Sequence, residues 1–379
     1  MVQKTKREYV EAIRSRYKKA SLEGKQRILD EFTAVCGYHR KHAIRMLNRV
    51  LGVPKRKPGR PSQYGEAERE VLEVIWLTAN RPCAIRFKAA IAIWLPCYEQ
   101  IQGRINDEQR KRLLNISART LDRLMKPVRQ RHGVRGRCGT RPGSLLKNQI
   151  PIKTNHADVN KPGVMEADTV AHCGNSLDGN FVWSLTLTDI FSGWTENRAV
   201  WNKGYEGVKQ GINDVEQRLP FPLTGFHSDN GGEFLNHHLI RYFHDRHMPV
   251  DYSRGRPYHK NDTAHVEQKN YTHVRLLLGY RRIEEEKLIP AINQLYEAWA
   301  LFNNFFSPTL KLIEKKKIGS KYIKKYDAPI TPYQRLMQSN DVPELAKTVL
   351  ADTFCHLNPF TLKRQIDFKQ NQILNNNLR

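Results

Sequence analysis

Hydrophobic and polar residues alternate along one stretch near the middle of the chain. In FVWSLTLTD, Leu185 and Leu187 alternate with Ser184, Thr186 and Thr188, which is the period of a half-buried β-strand. VMEADTVAH, before it, and WTENRAV, after the DIFSGW turn, are also predicted to be strands. The central region is therefore predicted to begin with three strands.

Helical spacing follows these strands. YEGVKQGINDVEQRLP carries Val208, Ile212, Val215 and Leu219 at helical intervals. We then predict a strand in LTGFHS, a helix in LNHHLIRYFHDR, a strand in PVDYS and, after a loop, a helix from about Thr263 to Leu278. The order βββαβαβα predicts an α/β fold in which helices pack on a mixed sheet.

The N-terminal region is predicted to be helical. LEGKQRILDEFTAVCG carries Ile28, Phe32 and Val35 on one face, and Gly37 follows where a helix would end. HRKHAIRMLNRVL gives a second helix. The pair is either a helix-turn-helix or a plain helical hairpin. As a helix-turn-helix it would present three basic residues to DNA, Arg40, Lys41 and Arg45.

A second helical block, from about residue 66 to residue 131, contains a stronger helix-turn-helix candidate. INDEQRKRLL and SARTLDRLMK are separated by a break at Asn115, with Ser117 as the N-cap and Pro127 as the end or kink of the second helix. Leu121 and Leu124 would face inward. DNA recognition is favoured over a solvated basic face, and the outward residues would be Arg119, Thr120, Arg123 and Lys126.

The charge of the chain points to a polyanionic partner. The 379 residues include 63 Lys and Arg against 38 Asp and Glu, a net charge of +25, and such an excess is typical of proteins that bind nucleic acid. PGRP, within VPKRKPGRPSQYG, resembles half of an AT-hook. A general phosphate-binding linker is the favoured interpretation, with contacts from Lys55, Arg56, Lys57 and Arg60.

The remaining composition restricts the cellular setting. Six scattered cysteines without a C-x-x-C pair argue for a reducing compartment and against a disulfide framework or structural zinc. No run of eighteen apolar residues occurs. We expect a soluble cytoplasmic, nucleoid-associated protein with neither a membrane partner nor a small-molecule cofactor.

Three acids hold equivalent positions in the predicted central fold. Asp168 lies in the first strand, Asp229 ends the fourth, and Glu267 lies near the start of the last helix. Adjacent strands and a following helix can bring these carboxylates to one end of the sheet. Three converging carboxylates repel one another unless a dication lies between them, and oxygen-only ligands suit Mg²⁺ or Mn²⁺. Two such ions would suit attack on a phosphodiester.

The central phrases resemble a known protein family. EADTVAHCG, SLTLTDIFSGWTENRAVWNKG, SDNGGEF and RPYHKNDTAHVEQKN, between residues 163 and 282, resemble the integrase-type DDE transposases of bacterial insertion sequences. The resemblance implies an RNase H-like catalytic core of the retroviral integrase and transposase superfamily. It also implies that Asp168, Asp229 and Glu267 bind two Mg²⁺ or Mn²⁺ ions, and that the protein acts as a homodimer or higher oligomer on DNA.

Other polar residues near the triad receive lesser roles. Glu233 is a rival third carboxylate, but it follows Asp229 by only four residues, so we assign it and Asn230 a supporting role without metal binding. Asp189 is expected to cap a turn between strands. Lys269 and Arg275 either contact DNA phosphates or are solvated surface residues.

The predicted function is that of a DNA transposase that binds the terminal repeats of an insertion sequence, cleaves the 3′ ends and joins them to target DNA. The alternatives are a non-enzymatic DNA-binding regulator with an inactive core and a nuclease that acts on RNA in hybrids. The predicted organisation is a helical segment (1–53), a basic linker (54–65), a second helical module (66–132), a basic linker (133–161), the catalytic core (162–282) and a mainly helical, basic C-terminal region (283–379).

Overall fold

The protein is described by a computed structural model that covers residues 3–48, 63–132, 159–202, 204–228, 234, 237–254, 264–318 and 321–376. The chain divides into two compact units, residues 1–63 and 64–379. Among the described helices, none combines the length and apolar character needed to cross a membrane.

The first unit contains three helices around a small core of their own. They are α1 (Gln3–Lys19), α2 (Leu22–Cys36) and α3 (Arg40–Asn48). Helix α2 ends at Gly37, whose φ of +68° is the left-handed conformation that glycine adopts without strain. Ile28 and Phe32 are buried as predicted. The prediction for Val35 was wrong: it is 46% exposed, and Cys36 is the buried residue of that turn.

The second unit is built on a five-stranded sheet with the order β3-β2-β1-β4-β5. β1 pairs antiparallel with β2 and β2 with β3, whereas β1 and β4, and β4 and β5, are parallel. The predicted mixed sheet is therefore confirmed, and with its helices it fits an RNase H-like fold. The strands are β1 (Val164–Ala171), β2 (Val182–Asp189), β3 (Thr195–Trp201), β4 (Gly225–Ser228) and β5 (Asp251–Arg254).

One face of the sheet is apolar and is covered by α9 (Tyr205–Glu216) and α10 (His237–His244). Gly211 lets α9 approach closely, since a β-carbon there would lie 3.2 Å from Leu185 Cδ2. On α10, the Phe243 ring lies 4.7 Å from that of Phe226 on β4. These contacts bury the hydrophobic half of the strand alternation.

The other face of the sheet carries the polar half of the alternation. It is covered by α11 (Ala264–Lys269), which continues as a π-helical segment (Asn270–Arg275) and the short α12 (Leu276–Leu278), and by α13 (Ile289–Phe306) after a 3₁₀ turn (Glu286–Leu288). From α13, Asn304 exchanges hydrogen bonds of 3.0 Å with the Thr195 backbone. An apolar stripe at helical spacing is buried here, with Leu288 in the 3₁₀ turn and Ile292, Leu295, Trp299 and Phe302 in α13.

Five helices lie between residues 63 and 132, the part before the sheet that the structure describes in the second unit: α4 (Glu66–Thr78), α5 (Ala84–Gln102), α6 (Asp107–Asn115), α7 (Ala118–Leu124) and α8 (Lys126–His132). They share a core with the helices that cover the sheet. Trp94 of α5 is fully buried, packs edge-on against Phe302 and Phe306 of α13, and donates a 2.9 Å hydrogen bond to the Phe306 carbonyl.

The C-terminal region is helical except for one segment. Its helices are α14 (Pro332–Gln338), α15 (Glu344–His356) and α16 (Pro359–Asn376). Between α13 and α14 the chain forms a two-stranded antiparallel ribbon, β6 (Leu312–Ile318) and β7 (Lys321–Tyr326). The expectation of a mainly helical region missed this ribbon.

Candidate active site

Asp168 lies on β1, on the polar face of the sheet, and is partly buried. Its Oδ1 accepts a 2.7 Å hydrogen bond from the Thr169 backbone N–H, and its Oδ2 accepts a 2.6 Å hydrogen bond from Asn270 Nδ2. Both carboxylate oxygens are therefore oriented by donors, one on the same strand and one on the helix that follows Glu267.

The strand that leads to Asp229 lies directly beside Asp168. The last described residue of β4, Ser228, pairs with Ala167, the residue before Asp168. Asp229, Asn230 and Glu233 lie outside the described residues, so their assigned roles stay predictions.

Glu267 belongs to α11, which is attached to the polar face of the sheet. The backbone N–H of its neighbour Val266 donates a 3.1 Å hydrogen bond to Oε2 of Glu166. Glu166 is completely buried on β1, two residues before Asp168 and hence on the same side of the strand. The helix position of Glu267 is described and its side chain is not.

Sequence reasoning missed both Glu166 and Asn270. The signal for Glu166 is its two-residue spacing from Asp168 in a strand, and the signal for Asn270 is its three-residue spacing from Glu267 in a helix. Asn270 begins the π-helical segment, and π-helical turns occur frequently at functional sites.

The oxygen atoms around Asp168 fit a hard cation. Asn270 Oδ1 is buried and has no hydrogen-bond partner among the described residues, and such an orphaned acceptor is costly unless something binds it. Carboxylate and amide oxygens are the ligands that Mg²⁺ and Mn²⁺ prefer. Within the described side chains, no group of three His, Cys, Asp or Glu could hold a metal ion. The side chains of Asp229 and Glu267 are not among them.

Lys269 and Arg275 follow Glu267, and both are partly buried. Burial, with the nearby charges of Arg86 and Arg335, lowers the pKa of Lys269 to about 7. Arg275 donates a 3.1 Å hydrogen bond to the Ala171 carbonyl, and its guanidinium lies 4.7 Å from the Tyr280 ring centre. Neither is a fully solvated side chain, and their contact with DNA stays a prediction.

Asp189 has the structural role expected from the sequence. Its Oδ2 accepts hydrogen bonds of 2.7 and 2.6 Å from the backbone N–H and the hydroxyl of Ser192, and its Oδ1 accepts one of 2.9 Å from the Gly163 backbone. The carboxylate therefore closes the β2–β3 turn and ties it to the start of β1.

Helix α7, one of the candidate DNA-binding helices, has the N-cap and the buried leucine that were predicted for it. Ser117 caps α7 by accepting a 3.1 Å hydrogen bond from the Thr120 backbone, and Leu121 is fully buried. On α7 and just after it, the exposed basic residues are Arg119, Arg123 and Lys126, with Thr120 partly buried between them. On α3 they are Arg40, Lys41 and Arg45. Their contact with DNA is untested, and Lys55, Arg56, Lys57 and Arg60 lie outside the described residues.

Comparison with known proteins finds a relative in sequence. No family model matches the chain. The uncharacterized protein y4rM of Sinorhizobium fredii is 40% identical over 337 residues, 87% of this chain and 95% of that protein.

Two solved structures with some similarity are retroviral integrase domains. The match with the catalytic core domain of BIV integrase covers 45% of this chain and 91% of that domain's chain, at 16% identity and a TM-score of 0.28. The second structure is the HTLV-2 integrase catalytic core domain in complex with magnesium, in its dimeric form. The match covers 39% of this chain and 90% of that domain's chain, at 13% identity and a TM-score of 0.29. The fold assignment therefore depends on the sheet and helices themselves.

Proposed function

The chain belongs to the same protein family as y4rM of Sinorhizobium fredii, and we propose that it is a DNA transposase of the integrase type. It would bind the terminal repeats of an insertion sequence, cleave the 3′ ends in a metal-dependent reaction, and join them to target DNA. Its partners would be double-stranded DNA and at least one further copy of itself.

The observation that carries this proposal is the approach of three chain segments to one point of the sheet. Asp168 lies on β1, β4 reaches Ser228 beside Ala167, and α11 is hydrogen-bonded to the same face of β1 through Glu166. Asp229 follows Ser228 in the chain, and Glu267 follows Val266. If the pairing of β4 continued by one residue, strand alternation would put Asp229 opposite Asp168 and on the same face.

Some residues of this site would hold metal ions, and others would orient the metal-binding residues. Asp168, Asp229 and Glu267 would hold two Mg²⁺ or Mn²⁺ ions, which when bound supply the charge that activates water and stabilises phosphodiester displacement. Asn270 fixes the orientation of Asp168 by donating a hydrogen bond from Nδ2 to Asp168 Oδ2, and Glu166 holds the α11 backbone against β1. The basic faces of α3 and α7 and the basic linker would bind the DNA.

The test is nicking and strand transfer on duplexes that carry the element ends, with Mg²⁺ or Mn²⁺. Asp168→Asn, Asp229→Asn and Glu267→Gln should each abolish both reactions and leave DNA binding intact, since each change removes a carboxylate and preserves its shape. A suitable control is Asp178→Asn, because Asp178 is an exposed turn residue that accepts a hydrogen bond from the Ser176 hydroxyl.

Undiminished cleavage by Asp229→Asn would refute the triad. DNA binding by the wild-type chain without nicking in Mn²⁺ would instead favour a DNA-binding regulator with an inactive core. Preferential cleavage of RNA in hybrids would favour a nuclease.

A further inference from the structure

The β6–β7 ribbon is held firmly at its base. Lys311 and Asp327 close it with two hydrogen bonds, a 3.0 Å backbone bond and a 2.6 Å bond from the Lys311 N–H to Asp327 Oδ1. The buried Arg335 donates to Asp327 Oδ2 at 2.6 Å and to the Thr309 carbonyl at 3.0 Å. The ribbon is therefore anchored to α14 in a defined direction.

Beyond this base the ribbon is open to solvent. Of its described side chains, all except that of Glu314 are exposed, including the apolar Ile313 at 61% and Ile323 at 57%. An isolated two-stranded ribbon is marginally stable in water. Leu312 and Tyr326 are also exposed, at 40% and 47%, and exposed apolar side chains on such a ribbon favour a surface that packs against a partner.

The pairing register separates the charges between the two sides of the ribbon. On one side, Glu314 pairs with Lys325, Lys316 with Ile323, and Ile318 with Lys321. This side therefore carries the one acidic residue of the ribbon. Glu314 also forms a 2.7 Å ion pair with Lys316. The opposite side has no acidic position, and its residues are Leu312, Lys315, Lys317, Tyr322, Lys324 and Tyr326.

The acid-free side contains a like-charge pair. Lys315 and Lys324 are directly opposite each other in the register, and like charges at such positions destabilise a sheet. The ribbon as a whole has six lysines and one glutamate. A polyanion along this side would convert the repulsion into attraction, which a neutral or cationic partner would not.

We propose that the β6–β7 ribbon lies in the major groove of double-stranded DNA, with the side that contains Lys315, Lys317 and Lys324 facing the phosphates and base edges. The major groove is about 12 Å wide and accepts a two-stranded β-ribbon. Leu312 and Tyr326, the described apolar side chains of this side, are exposed and available for apolar contact. This inference rests on the proposed function for its DNA partner, and it assigns a role to a segment outside the helix-turn-helix candidates.

The experiment compares two double variants of the full-length chain in binding a labelled DNA duplex, measured by fluorescence anisotropy in EDTA over a range of salt concentrations. K315Q/K324Q removes two lysines from the acid-free side. K321Q/K325Q removes two from the other side and is the matched control with the same net charge. Circular dichroism and thermal melting establish that both variants are folded.

K315Q/K324Q should bind several-fold more weakly and reduce the slope of log affinity against log salt by about 1.8, or about 0.9 for each phosphate that a lysine no longer neutralises. K321Q/K325Q should change the slope by less than half of that. Equal losses in the two variants, or no loss in K315Q/K324Q, would overturn the assignment.

A duplex of RNA tests whether the groove itself is used. The major groove of A-form RNA is deep and narrow and does not admit the ribbon, so wild type and K315Q/K324Q should bind it alike. An equal loss on RNA would overturn insertion in the groove.

The binding assay contains no metal and is independent of cleavage. If the wild-type chain binds duplex DNA and K315Q/K324Q binds it with the same affinity and salt dependence, the proposed role of the ribbon is refuted and the proposed function is not. A wild-type chain that does not bind duplex DNA refutes the proposed function and, with it, the ribbon.

Discussion

Asp168 accepts hydrogen bonds at both carboxylate oxygens, and one of the donors is Asn270, on the helix that carries Glu267. A carboxylate held in this way keeps its rotamer when charge nearby changes, which favours repeated binding of a cation in one geometry. Asn270 is therefore a positioning residue of the proposed site.

Replacing Asn270 with Ala should lower the rate of metal-dependent nicking about 10- to 100-fold, the usual cost of losing a partner that orients a ligand. DNA affinity in EDTA should stay unchanged. The metal concentration for half-maximal activity should rise, and high Mn²⁺ should partly restore the rate. Gln268→Ala is the control, because Gln268 is exposed on the same helix; an equal loss there would remove the special role of Asn270.

Glu196 on β3 is a buried carboxyl group away from the candidate site, and it gives the fold a pH dependence. It accepts a 2.9 Å hydrogen bond from Trp194 Nε1 and is only 5% exposed. Burial raises its pKa from 4.5 to about 7. The folded state therefore binds a proton at Glu196 more tightly than the unfolded state does.

This group favours folding at low pH, and its contribution is lost as the pH rises from about 4.5 through about 7. The whole shift corresponds to about 3 kcal/mol. In Glu196→Gln, which keeps an acceptor for Trp194, the free energy of unfolding should fall less between about pH 5 and about pH 8 than in the wild type. Urea unfolding at both pH values measures this, and identical pH profiles would contradict it.

At the scale of elements, the residue before β1 determines how the strands begin. Gly163 has a φ of +121°, and its carbonyl accepts hydrogen bonds from the backbone N–H groups of Thr224 and Gly225 at 2.8 and 3.1 Å. A β-carbon there would lie 2.8 Å from the Pro222 carbonyl oxygen. The parallel start of β1 and β4 therefore depends on glycine at this position.

Gly163→Ala should destabilise the second unit by about 2 kcal/mol or more, since backbone strain and a backbone clash add. Gly204→Ala is the control: a β-carbon at Gly204, whose φ is −68°, would meet nothing within 4 Å. Thermal melting of the two variants measures the difference, and equal melting temperatures would show that the start of β1 adapts to alanine.

Elements with strong periodicity were predictable, and those that depend on partners were not. The alternation in β2 and the helical spacing of Val208, Ile212 and Val215 in α9 identified both elements correctly because burial imposes those periods on a sequence. The lysine-rich β6–β7 segment was missed because its charge obscured the signal for two strands. That signal is the Gly319-Ser320 pair, which lies between two short runs that contain isoleucine and tyrosine. The π-helical segment has no such signal, since a single added residue per turn leaves no repeat.

At the scale of the whole molecule, the sequence predicted which residues are buried better than what they pack against. Trp94 of α5 is fully buried, and its contact with Phe306 joins residues that are 212 positions apart, which no local pattern in the sequence indicates. The candidate site has the same limit. Strand and helix order brought Asp168 near the segments of Asp229 and Glu267, whereas the hydrogen bonds from Asn270 and to Glu166 needed the register.

The core shared by α5 and α13 has a consequence for where DNA would be cut. Helix α7 packs on α5, and α5 is joined through Trp94 to α13, which packs on β3 of the sheet that carries Asp168. If α7 reads the element end, the number of base pairs between the bases it reads and the cleaved bond is set by a rigid protein body. Duplexes with a few inserted base pairs at that interval should then be cut at a constant distance from the bound sequence, at a new position in the element.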